Sequence, residues 1–183
     1  MRRAALFLDR DGVINEDLNY VHRVEDFRFI EGIFALCRRA KRAGMLIIVV
    51  TNQAGIGRGY YTEYQFHDLN NWMVARFLDE GVVIDGVYFC PFHPVHGIGG
   101  YKMESQDRKP GPGMILRASA QHGIDLQRSV LIGDKATDIA AAKHAGVGTS
   151  VLFSEERLST LIEPDLMVGR LGDAANLLFP TVD

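Results

Sequence analysis

The stretch ALFLDRDGV, residues 5–13, runs an apolar segment straight into two carboxylates, Asp9 and Asp11. An unbroken apolar run suits a strand covered on both faces rather than one. Two like charges at its end repel each other and lose hydration beside a core. The pattern therefore predicts a buried strand over Arg3–Asp9 whose end is completed by a positive partner that the stretch itself does not supply.

The same grammar repeats outward. Ile33, Phe34, Leu36, Cys37 and Ala40 follow helical spacing, with Gly44 placed as a C-terminal cap. Met45–Thr51 (MLIIVVT) is an almost wholly apolar strand. Thr62-Glu63-Tyr64-Gln65 forms a capping box ahead of a helix carrying Phe66, Leu69, Trp72, Met73 and Phe77 to about Glu80. Strands are expected over Val82–Cys90, Ser129–Gly133, Thr149–Phe153 and Asp165–Val168, and helices over Gly113–His122, Lys135–Ala145 and about Asp173–Leu178. Strands alternating with helices predict an α/β protein: a doubly wound parallel sheet with helices on both faces.

Bulk composition agrees with one domain over residues 1–183: 47% of residues are hydrophobic and the net charge is −3. That charge marks neither a nucleic-acid nor an anionic-membrane surface. Asp9-Arg10-Asp11 cuts the N-terminal apolar stretch too early for a leader, and no run approaches the ~20 apolar residues of a membrane span. Cys37 and Cys90 alone cannot form a disulfide framework, so a reducing cytoplasm is expected, with a monomer as the working state.

Ligands of open parallel sheets bind beyond the carboxyl ends of the strands. Asp9, Thr51 and Asp134 all fall at such ends, so three strands deliver polar groups to one edge. Asp9, Asp11 and Asp134 together suit a hard divalent cation, and an oxygen-only donor set favours Mg2+. Thr51 and Asn52 add a hydroxyl and main-chain N–H groups. Lys109 precedes Pro110 at a helix entrance whose N–H groups face an anion. Magnesium, lysine, hydroxyl and amides describe a phosphoryl site. In it Asp9 is the nucleophile, Asp11 the acid and base, and Thr51 and Lys109 hold phosphoryl oxygens.

Asp9-Arg10-Asp11-Gly12-Val13, Thr51-Asn52-Gln53, Lys109-Pro110 and Gly133-Asp134-Lys135-Ala136-Thr137-Asp138 resemble, in order and spacing, the four motifs of the haloacid dehalogenase superfamily, phosphatase branch. The resemblance implies a Rossmann-like core, a Mg2+ held by Asp9, Asp134 and the main-chain carbonyl of Asp11, and Lys135 and Asp138 behind them. Within the superfamily, DGVINEDLNYVHRVEDFRFIEG and VVTNQAGIGRGYYTEYQF resemble the D-glycero-D-manno-heptose 1,7-bisphosphate phosphatases. That group acts on a small phosphorylated sugar in bacterial heptose and lipopolysaccharide-core biosynthesis, and histidinol-phosphate phosphatases share its catalytic motifs. A persistent phosphoacceptor of receiver type is disfavoured by Asp11, and a binding module without catalysis by the intact motif residues.

The intervals Asp9–Thr51 and Thr51–Lys109 are filled by core elements, so no separate cap domain is expected. The loops Glu16–Phe29, Gly55–Tyr61 and Pro91–Arg108 then border an open site, where Arg58 and Arg108 are candidates for the phosphate or hydroxyls that do not react. Heptose-type relatives often carry a structural zinc on a C-P-H segment and a later C-x-C pair. Here those positions read Cys90-Pro91-Phe92 and Ser105-Gln106-Asp107, so no zinc is expected. The intervening loop is then either held by packing or mobile, and its glycines favour mobility.

Overall fold

A computed structural model describes residues 2–154 and 162–180. Six strands build one sheet: β1 (Ala5–Leu8), β2 (Leu46–Asn52), β3 (Gly86–Cys90), β4 (Val130–Gly133), β5 (Thr149–Phe153) and β6 (Leu166–Val168). Their order is β3-β2-β1-β4-β5-β6, and every pairing is parallel. The chain winds from β1 through β2 to β3, then crosses back to β4 on the other side of β1. The β1/β4 boundary is thus the point where the winding reverses, and a crevice opens there beyond the strand ends.

Helices α1 (Ile33–Arg42), α2 (Ala54–Gly57), α3 (Glu63–Asp79), α4 (Gly113–His122), α5 (Ala136–Ala145) and α6 (Leu171–Leu178) complete the fold. Alternation along β1 divides the core. Leu6 and Leu8 pack with Ile47, Val49 and Ile132 against α1, α3 and α6, through Leu36, Met73, Phe77 and Ala174. Ala5 and Phe7 pack with Ile48, Val50 and Leu131 against α4 and α5, through Ile115, Ala118 and Ala142. Both faces are covered, as an apolar β1 requires. The capping box forms, with Thr62 Oγ1 accepting from Gln65 N.

Most boundaries fall within one or two residues of the sequence reading, and two stretches differ by more. β3 begins at Gly86, because Val82 is held in the turn after α3 by its N–H to Phe77 O. The stretch read as the loop Gly55–Tyr61 contains part of α2. A four-residue turn of Ala, Gly and Ile carries no amphipathic signal, and a Cβ on Gly57 would overlap the main-chain oxygen of Pro91.

Asp165 fastens the last strand to the sheet. Its Oδ2 accepts from Ser150 N at 2.7 Å and Ser150 Oγ at 2.8 Å, while Oδ1 pairs with Lys143 Nζ at 2.5 Å. These donors hold the Asp165 carboxyl below its ordinary pKa against the effect of burial. A depressed carboxylate contributes stability above its unfolded pKa and loses it as pH falls through the folded value. Asp165→Ala is expected to lower the unfolding free energy by about 1–3 kcal/mol near neutral pH, through the orphaned Ser150 groups. Urea titrations should show that deficit shrinking below roughly pH 4.

Candidate active site

The site grows from three adjacent strand ends. Asp9 follows β1 and donates its N–H to Ile132 O of β4 at 3.1 Å. Its Oδ1 accepts from Arg10 N and from Lys109 Nζ, both at 2.8 Å. Asp134 follows β4, and Thr51 is the penultimate residue of β2. Gly12 makes the approach possible: it has φ +95°, and any Cβ there would overlap the Asp134 carboxylate. A Cβ on Gly133 would likewise overlap Asp138.

Lys109 is 4% exposed; its ammonium donates to Val50 O at 3.0 Å and forms ion pairs with Asp9 Oδ1 at 2.8 Å and Asp138 Oδ1 at 2.5 Å. Burial works against the ammonium, and the Asp138 and Asp9 carboxylates outweigh it, holding its pKa above the ordinary value. A direct grip on a phosphoryl oxygen would exchange one of those three bonds. Asn52 holds this lysine from behind. Its side chain donates to Lys109 O at 3.1 Å and accepts from Lys109 N at 3.0 Å. Both ends of that amide are therefore used on the Lys109 backbone.

Carboxylate oxygens of Asp9, Asp134 and Asp138 lie within 4.8 Å of one another. One buried ammonium faces three carboxylates, so a negative excess is left. Burial pushes Asp9 up to about 8, with the charges of Asp138 and Asp134 adding and Lys109 opposing. Burial also pushes Asp134 up to about 6, against the pull of Lys135. Asp134 Oδ1 is buried with no hydrogen-bond partner among the described residues. Crowded acids, an orphaned carboxylate oxygen and an all-oxygen donor set fit a hard divalent cation held by Asp9 and Asp134. Asp138 is committed instead to Lys109 and, through Oδ2, to Lys135 N at 3.0 Å. Lys135 Nζ reaches Asp17 at 2.8 Å and Asp134 at 3.7 Å.

The Asp11 carboxylate is placed differently. It is absent from the converging group and is taken up by Arg10, Asn15 and Gln53. The three partners commit the Asp11 carboxylate to groups of the chain itself. Arg10 and Gln53 are the residues that sequence reasoning passed over. Arg10 is 0% exposed; its guanidinium meets Asp11 at 3.0 Å and Val21 O at 2.7 Å, above the Phe66 ring. Gln53 Nε2 donates to Asp11 Oδ2 at 2.9 Å and to Thr51 Oγ1 at 2.8 Å, while its Oε1 accepts from Tyr61 OH at 2.5 Å. Thr51 thus accepts one bond and keeps its hydroxyl proton for an anion. The signal was present only as a charge between two acids and an amide after Thr51-Asn52.

A cleft of about 370 Å3 opens over this floor, lined among others by Asp11, Arg58, His93, Arg108, Lys109 and Lys135. Arg58 lies over the Tyr20 ring at 5.9 Å, and its buried Nε has no hydrogen-bond partner among the described residues. Arg108 donates to Phe92 O at 3.3 Å. Both expected arginines thus stand on the wall of one cleft with Asp11 and Lys109. At the positions read above for zinc ligands, Cys90 donates to Phe92 O and Asp107 pairs with Arg117 at 2.7 Å.

The HAD-hydrolase-like family profile matches residues 106–174. The D-glycero-alpha-D-manno-heptose-1,7-bisphosphate 7-phosphatase of Burkholderia mallei is 58% identical over 87% of this chain and 84% of its own. The chain belongs to the haloacid-dehalogenase-like phosphatase family. The D-glycero-beta-D-manno-heptose-1,7-bisphosphate 7-phosphatase of Vibrio cholerae is 53% identical over 83% of this chain and 82% of its own. Among solved structures, the B. bronchiseptica D,D-heptose 1,7-bisphosphate phosphatase, complexed with magnesium and phosphate, superposes with a TM-score of 0.79 at 24% identity. That match covers 96% of this chain and 97% of the other. A HAD-like protein of Mesorhizobium loti superposes at 0.86 with 34% identity, over 100% of this chain and 90% of its own.

Removing one side of a buried ion pair leaves the other charge uncompensated. Arg10→Met should therefore lower the unfolding free energy by about 3 kcal/mol or more. Chemical denaturation measures it, and a loss below ~1 kcal/mol would mean that Arg10 is not the counter-charge of Asp11.

Proposed function

We propose that this protein is a Mg2+-dependent phosphatase that removes the 7-phosphate of D-glycero-D-manno-heptose 1,7-bisphosphate through an aspartyl phosphate on Asp9. The observation that carries the chemistry is that two carboxylates with opposite surroundings face one floor: Asp9 beside Lys109 and Asp134, and Asp11 held by Arg10 and Gln53. The relatives named above support the substrate, and the all-oxygen cluster supports the metal.

On this reading each residue has one task. Arg10 N–H and Lys109 both bond Asp9 Oδ1, so Oδ2 is the atom that attacks phosphorus. The bond from phosphorus to the sugar oxygen breaks, and Asp11 gives that oxygen its proton. Water then attacks phosphorus while Asp11 takes its proton, the bond to Asp9 breaks, and both carboxyls return to their starting state. The Thr51 hydroxyl steadies a phosphoryl oxygen, and Lys109 supplies positive charge beside the nucleophile. Bound Mg2+ supplies the charge that keeps Asp9 and Asp134 ionised and screens carboxylate from phosphate. Arg58 and Arg108 face the phosphate that stays on the sugar. The chain 1–183 acts as a single domain and a monomer, in the bacterial cytoplasm and without zinc, nucleic acid or membrane as partners. Support comes from its net charge of −3 and two free cysteines. Among the described residues no helix is long and apolar enough to cross a membrane.

The relatives are named for opposite anomers, so both must be assayed. Phosphate release with Mg2+ should give a kcat/KM about a hundredfold higher for one heptose anomer than for histidinol phosphate or a generic monoester, near 2.7 kcal/mol of discrimination. Equal rates on all four would withdraw the sugar, and histidinol phosphate in the lead would replace it. Asp9→Asn should abolish turnover while calorimetry still detects phosphate binding. Near-normal activity in that variant would rule out the covalent route.

A further inference from the structure

We propose that His93 is a specificity-determining residue whose Nε2–H donates a hydrogen bond to the non-reacting phosphate of the substrate. This rests on the sugar bisphosphate reading above and adds a residue to it.

The argument is one of tautomer and place. His93 Nδ1 accepts from two main-chain donors, Val95 N at 3.2 Å and His96 N at 3.0 Å. A ring nitrogen that accepts carries no proton, so the neutral imidazole keeps its proton on Nε2. The ring is thus a donor with a fixed aim rather than a free rotor. Its own backbone is pinned on either side: His93 N–H donates to Tyr101 O, and Gly97 N–H donates to His93 O, each at 3.1 Å. The ring lines the same cleft as Arg58, Arg108 and Lys109. Loss of hydration disfavours a charged imidazole there, and Arg108, His96 and Arg58 add to it against Glu104, so its pKa lies below the ordinary value. Two guanidinium groups and an uncharged N–H donor around one wall form an anion cradle in which the imidazole adds direction without further like charge.

Two substitutions separate the donor from the loop cap. Asparagine keeps an acceptor near the δ position, and so the turn over Val95 and His96, but has no donor at the ε position. Glutamine presents an amide donor at the ε position without the δ acceptor. The readout is the ratio of kcat/KM on the 1,7-bisphosphate to that on the 7-monophosphate, which lacks the second anion. His93→Asn is expected to reduce this ratio about ten- to a hundredfold, and His93→Gln to hold it within about threefold of the parent. Thermal melts and hydrogen exchange of residues 93–101 report on the loop independently. An unchanged ratio in His93→Asn, or equal losses on both substrates in both variants, overturns the proposal and leaves His93 as a loop cap. Where the parent prefers the bisphosphate, that result leaves the functional reading standing. A parent with no preference for the bisphosphate overturns the two together.

Discussion

The Lys109 ammonium is the interaction on which the rest of this site depends. It sits out of water with Asp9 on one side and Asp138 on the other, and its third proton is bonded to Val50 O within β2. A lysine so placed is held charged by the acids, and each acid is tolerable only because the lysine is there. The triangle also ties together chain segments far apart in sequence: the end of β1, the interior of β2 and the start of α5. The Asn52 amide clamps both main-chain groups of Lys109, so its position is set by β2 as firmly as by its own loop. The sheet supplies the rigidity, and the charges supply a reason for three strands to end together.

What remains after that pairing is an excess of negative charge around Asp9 and Asp134. The sequence already contained this contradiction, two acids at the end of a buried strand, and the fold sharpens it by bringing Asp134 and Asp138 alongside. The structure partitions the acids by their partners. Asp138 and Asp11 are bonded to cations of the chain itself, while Asp134 keeps an oxygen without a partner among the described residues. Similar side chains therefore have different uses, decided by neighbours rather than by identity.

That distinction explains which parts were legible in advance. Asp9, Thr51 and Asp134 could be placed because strand ends are visible in apolar runs and parallel sheets put their ends on one edge. The sheet and its helices were legible for the same reason, down to the capping box at Thr62. Arg10 was not, although it stands between the two acids. Its side chain is fixed by Val21 O and the Phe66 ring, contributions from two further segments whose approach no spacing encodes. Gln53 is similar, since its bond from Tyr61 depends on how the chain returns after α2. Asn52 was placed at the ligand for its main-chain N–H at a strand end, whereas the bonds of its side chain to Lys109 could not be read from spacing.

In the loop 91–109 a glycine serves close packing. Its glycines suggested freedom once the usual zinc ligands were missing from the sequence. Instead, a Cβ on Gly97 would overlap the carbonyl of Tyr101, and Ile98 N–H donates to Gly57 O at 2.8 Å. Tyr101 OH in turn donates to Glu63 Oε1 at 2.9 Å, fixing the loop to the first turn of α3. Gly97 is thus required for close approach of main chain to main chain, and the approach is what lets hydrogen bonds hold the segment. A metal can order a loop by joining ligands at its two ends. Here the ordering is spread along the loop, through contacts with α2 and α3; Arg58 directly follows α2 and Glu63 opens α3. The wall of the cleft and the body of the domain are consequently one packed unit, which is why a side chain in this loop can have a defined aim.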